Sequence, residues 1–125
     1  MEDSEGVILL EMTLNKKWFD MIYSGEKTSE YRIPKKYWLN RVFKKEFVES
    51  GEWEKYHHQF LDVPKKYWKK QFTHIRFKNG YSKNSPVMVV HLCSISFDTG
   101  DESCGAIDGE TYLTFSLGKV AAACL

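Results

Sequence analysis

Residues 15–32 read NKKWFDMIYSGEKTSEYR, and the fold turns on how this stretch is divided. Asn15 is a good N-cap, because its side-chain oxygen can take an unpaired N–H of the first helical turn. Leu14 before it and Phe19 after it are placed as a hydrophobic staple. Trp18, Phe19, Met21 and Ile22 recur at helical spacing. Gly25 stands where a left-handed C-cap favours glycine. The pattern predicts a short helix over 15–24. Thr28 to Ile33 then alternates as a strand, with Thr28, Glu30 and Arg32 on one face and Ser29, Tyr31 and Ile33 on the other. Pro34 ends it. A helix that feeds directly into a strand, with Lys27 at its head and Glu30 and Arg32 along it, raises the question of what those charges do.

Outward from this centre, Val7 to Leu14 alternates as a first strand. The pentapeptide PKKYW occurs at Pro34–Trp38 and again at Pro64–Trp68. Proline at a first helical position suits both copies, so two similar short helices are expected. Two copies of five residues do not make a solenoid. The stretch ESGEWEKYHHQFLD between them reads as a turn followed by a short helix or loop. In the last third, His74–Lys78 and Pro86–Phe97 read as strands, with a turn signal at Asn79–Gly80. Residues 98–110 read as a loop and Thr111–Leu117 as a further strand. The expectation is a single α+β domain over 1–125, with a basic helical insertion at about 34–72. Its core is expected to be a small, curved, antiparallel barrel with short flanking helices.

The chain of 125 residues is long enough for one hydrophobic core. Its net charge of +1 conceals an uneven distribution. From Ile33 to Asn79 there are 12 Lys or Arg against 5 Asp or Glu, a net +7, and the remainder carries −6. A basic middle of this kind attracts polyanions, or is simply a solvated lysine face. The three cysteines, Cys93, Cys104 and Cys124, show no CxxC spacing, so neither zinc nor a disulfide framework is suggested. The start of the chain is acidic and its apolar run, Val7–Leu10, is too short for a signal peptide or a membrane span. A cytoplasmic protein without membrane association is expected.

The segment with Gly25, Lys27, Glu30 and Arg32 resembles the GxKxxExR signature of the ASCH domain family, which is similar in fold to the PUA domains. HIRFKNGY, the strand after Pro86 and TYLTFSLGKV also resemble phage and bacterial members. The resemblance implies a PUA-like pseudo-barrel with flanking helices, and a cleft lined by the signature residues that binds RNA or a modified nucleoside. It also implies an alternative. One branch of the family hydrolyses N4-acetylcytidine through a lysine, a threonine three residues later and a more distant glutamate, and another relative is a ribonuclease. Lys27 matches the lysine. Glu30 stands at the threonine position, and Glu102 and Glu110 lie only in the general region of the glutamate.

The candidate catalytic residues are therefore Lys27 and Glu30. The candidate ligand-binding residues are Gly25, Lys27, Glu30, Arg32 and Tyr81. Lys27 is either a cleft residue or a favourable charge near a helix C-terminus. Glu30 and Arg32 either form an ion pair that fixes the arginine fork for a phosphate or base, or an exposed pair worth little. Tyr81 is either a stacking ring or a core residue. Lys35, Lys36, Lys65 and Lys66 flank Tyr37, Trp38, Tyr67 and Trp68. Such interleaving suits single-stranded nucleic acid, or else places lysine outward and aromatic inward on an amphipathic helix. His57 and His58 are adjacent and point apart. His74 and His91 stand singly in strand-like segments. No spacing supports a metal site, and no cofactor is expected.

Overall fold

The computed structural model describes residues 6–125; the acidic start of the chain, residues 1–5, lies outside them. Among the described residues five strands, β1 (Leu9–Leu14), β2 (Ser29–Arg32), β3 (His74–Asn79), β4 (Val87–Thr99) and β5 (Thr111–Cys124), form one sheet in the order β1-β3-β4-β5-β2. Among the same residues four helices accompany them: α1 (Lys16–Ser24), α2 (Lys36–Val42), α3 (Lys45–Glu49) and α4 (Trp53–Gln59). The α+β class is as expected. The sheet is mixed where an antiparallel one was expected, because β1 pairs in parallel with β3 while β3 pairs antiparallel with β4, and it is not closed. The long connection through residues 15–73 is what permits the parallel pair, since parallel neighbours need a crossover. Among the described residues, no helix is long and apolar enough to cross a membrane.

The chain divides into two compact units. The first holds the described residues up to Ser29, with Phe72–Cys93 and Leu117–Leu125; the second holds Glu30–Gln71 and Ser94–Ser116. In the first, period-two alternation buries Leu10, Met12 and Leu14 from β1, Ile75 and Phe77 from β3, and Met88, Val90 and Leu92 from β4. Phe19 and Ile22 are the buried face of α1, which packs against β3. The Asn79–Gly80 turn is realised with Gly80 at φ 85°, but the Asn79 N–H donates to Pro86 O at 2.9 Å, so the loop is longer than a two-residue hairpin. His74 and His91, single in sequence, are cross-strand partners with ring centroids 4.3 Å apart. Burial, and next the neighbouring His91, lower the His74 pKa below its ordinary value.

In the second unit the buried parity of β4 has changed. Met88, Val90 and Leu92 are buried at even positions, whereas beyond Cys93 the buried residues are Ile95 and Phe97. Phe97 is a hub: its ring centroid lies 6.2 Å from that of Phe43, 5.8 Å from Trp53 and 5.5 Å from His57. Residues 50–59 form the anticipated turn and short helix; α3 was not legible as a separate element. Gly100 has a packing role, since a Cβ there would meet Ala106 Cβ at 2.4 Å.

The two PKKYW copies diverge. The first begins α2 at Lys36, with Pro34 outside the helix. The second is corrected from a helix to a 3-10 turn, Lys65–Tyr67, after which Trp68 leaves in extended conformation. Tertiary hydrogen bonds account for the difference. Lys44 N–H donates to Tyr67 O at 2.9 Å and Lys69 N–H to Val42 O at 2.8 Å, so Trp68 is bridged to Phe43. The Trp68 indole N–H donates to Val63 O at 3.1 Å. Trp68 is 1% exposed, whereas Trp38 is half-buried. Urea denaturation of the two alanine variants separates these roles. Trp68→Ala is expected to destabilise by about 3–5 kcal/mol, and Trp38→Ala by about 1–2 kcal/mol. Equal losses would contradict the assignment.

Candidate functional site

The GxKxxExR motif is shared between the units: Gly25 and Lys27 belong to the first, Glu30 and Arg32 to the second. In the first unit the helix end sets the lysine. Asn15 caps α1, its Oδ1 accepting from the Trp18 N–H at 3.2 Å. At the other end Gly25 adopts φ 88°, and its N–H donates to Ile22 O at 3.1 Å. No atom within 4 Å opposes a Cβ at Gly25, so the left-handed backbone and not space requires glycine. Lys27 N–H then donates to Met21 O at 3.0 Å, tying the lysine backbone to the last helical turn. The Lys27 side chain is not a surface charge, since the residue is only 3% exposed. Its Nζ lies 5.2 Å from the centroid of the Trp18 ring, which also receives Lys17 Nζ at 4.8 Å. Among the described residues, no buried side-chain nitrogen or oxygen lacks a hydrogen-bond partner.

In the second unit Glu30 is likewise buried, at 3% exposure, and its carboxylate accepts from Arg32 Nη1. The pair is therefore not the exposed one of little value. Arg32 Nη1 also donates to Tyr31 O at 3.1 Å. The guanidinium so held lies with Cζ 5.0 Å from the Trp38 ring centroid. Arg41, one turn along α2, places its own Cζ 4.6 Å from the same ring and 5.7 Å from that of Tyr37. Tyr37 meets Trp38 edge-on at 5.5 Å and is 61% exposed. The sequence reading missed this grouping. Arg41 at i+3 from Trp38 and i+4 from Tyr37 was the available signal.

Tyr81, in the loop after β3, is 89% exposed, which removes the core alternative. Lys35, Lys36, Lys65 and Lys66 are exposed. Of the aromatics they flank, only Trp68 is fully turned inward. Tyr67 lines a hollow of about 270 Å³ with Lys44, Glu46, Phe47, Glu52 and Lys66. Its hydroxyl donates to Glu52 Oε2 at 2.7 Å, and this bond above all pushes the phenol pKa up to about 12. A second hollow, of about 320 Å³, has His57, Glu110 and Tyr112 among its walls. Burial, and then His58, lower the His57 pKa. Glu102 lies on a 3-10 turn after β4.

Comparison with protein-family models, with curated proteins and with solved structures finds no match in any of the three.

A double-mutant cycle measures what the Glu30–Arg32 pair contributes. Arg32→Met and Glu30→Gln are each expected to destabilise, and the double variant by less than their sum, with a coupling of about 1–3 kcal/mol. Additive losses in urea denaturation would show that the pair does not act as a unit.

Proposed function

We propose that this chain binds RNA or a modified nucleoside through its GxKxxExR motif, as an ASCH-like, PUA-related domain in the cytoplasm. The observation that carries the reading is the grouping in the second unit. A buried glutamate holds Arg32 over Trp38, Arg41 shares the same ring, and Tyr37 offers an exposed face beside it. Single-stranded nucleic acid is recognised by this combination: guanidinium groups meet phosphates or stack on bases, and an exposed aromatic accepts a base irrespective of its identity. The net +7 of residues 33–79 supplies long-range attraction. Lys27 enters this reading through the motif alone.

One observation favours the alternative, a hydrolase of the N4-acetylcytidine or ribonuclease type. Lys27 is buried against Trp18 and not solvated. An enclosed amine suits a nucleophile or base.

Fluorescence anisotropy with a labelled single-stranded RNA tests the binding reading. Tyr37→Ala is expected to weaken binding by about 1–3 kcal/mol. Arg41→Ala is expected to lower the slope of log K against log salt by about 0.7. Binding that is absent, or unaffected by either change, would refute it. Acetate release from N4-acetylcytidine that is lost in Lys27→Ala would put the hydrolase reading first.

A further inference from the structure

The first unit brings together two residues that the motif does not involve. His74 and His91 face each other across the antiparallel β3–β4 ladder. Their ring centroids are 4.3 Å apart with planes inclined at 43°. The neighbouring pair, Ile75 with Val90, is buried at 0% and 1% exposure, so the backbone beneath the imidazoles is anchored in the core. His91 itself is exposed to solvent. We propose that His74 and His91 form a bis-imidazole site for a divalent transition-metal ion of the nickel, copper or zinc type.

Three features support the assignment. The first is distance. Two imidazole nitrogens each about 2.0–2.1 Å from one ion stand at most about 4.2 Å apart. Ring centroids 4.3 Å apart are close enough for one nitrogen of each ring to meet a shared ion by rotation about the side-chain torsions.

The second is the surroundings of His74. Its Nδ1 lies 2.7 Å from Thr73 Oγ1, which accepts the Ile8 N–H at 2.9 Å and reaches Ile8 O at 3.4 Å. When the hydroxyl proton points to Ile8 O, Nδ1–H donates to Thr73 and the Nε2 lone pair is left for a metal. A ligating histidine is oriented in this way, through a hydrogen bond from its other nitrogen.

The third is access. Gly118 lies beside His91, and a Cβ there would come within 3.2 Å of both His91 Cβ and Cys93 Sγ. Glycine spares both side chains that contact, and access itself follows from the exposure of His91.

Among the described residues, no three His, Cys, Asp or Glu side chains converge as one metal-holding group. The two imidazoles therefore hold the ion with water, or a further ligand, in its other positions. Binding is expected to follow the usual divalent order, Cu²⁺ above Ni²⁺, and Cu²⁺ above Zn²⁺. The surface thiols Cys93 and Cys124 compete for such ions, so the test removes them.

Isothermal titration calorimetry of the Cys93→Ser/Cys124→Ser protein with Ni²⁺ and Zn²⁺ decides the matter. One equivalent is expected to bind. His91→Ala in that background should abolish it, and His57→Ala/His58→Ala should leave it unchanged. Histidine Cε1–H resonances of His74 and His91, followed by NMR during the Zn²⁺ titration, should shift together. Loss of binding on removing the thiols, retention in His91→Ala, loss in His57→Ala/His58→Ala, or no stoichiometric binding would each overturn the proposal.

Discussion

A carboxylate cannot be withdrawn from water without compensation, and Glu30 is withdrawn almost completely. This constraint organises the second unit's share of the motif. Arg32, two residues along the same short strand, is one compensating group. Once committed to Glu30, the guanidinium is no longer a flexible surface charge. It occupies one place, over the Trp38 ring, and α2 carries Arg41 to the same ring. Pre-organisation of this kind lowers the ordering cost of binding, because the side chains are arranged before a ligand arrives. The exposed ring of Tyr37 then stands beside fixed positive charge.

Much of the first unit's architecture was legible because its signals are local. Asn15, Gly25 and the spacing of Phe19 and Ile22 specify α1 through capping and amphipathicity, and the alternation in β1 and β3 specifies which side chains turn inward. What failed was whatever tertiary contacts decide. The second PKKYW copy has the same local preferences as the first, yet it pairs its backbone with residues 42–44 and buries its tryptophan. No pentapeptide encodes that choice. The parallel pairing of β1 with β3 is non-local in the same way, and so escaped a reading that expected an antiparallel sheet.

The candidate site divides along the same line. Gly25, Lys27, Glu30 and Arg32 were visible as a spaced motif. The ion pair followed from the two-residue period of a strand. The burial of Lys27 and Glu30 was not visible, since charged residues are seldom enclosed. Trp38 and Arg41 were obscured by a plausible amphipathic reading that turned the aromatics inward. His74 and His91 could not be paired from sequence, because the register of β3 on β4 brings them together.

The account rests on a guanidinium held in place, and nitrogen-15 NMR of the arginine side chains observes that directly. The Arg32 Nε–H and Nη–H signals are expected to be individually resolved, slow to exchange with water and shifted by the Trp38 ring current, with that shift lost in Trp38→Leu. A single averaged, fast-exchanging signal at the position of an exposed arginine would contradict it.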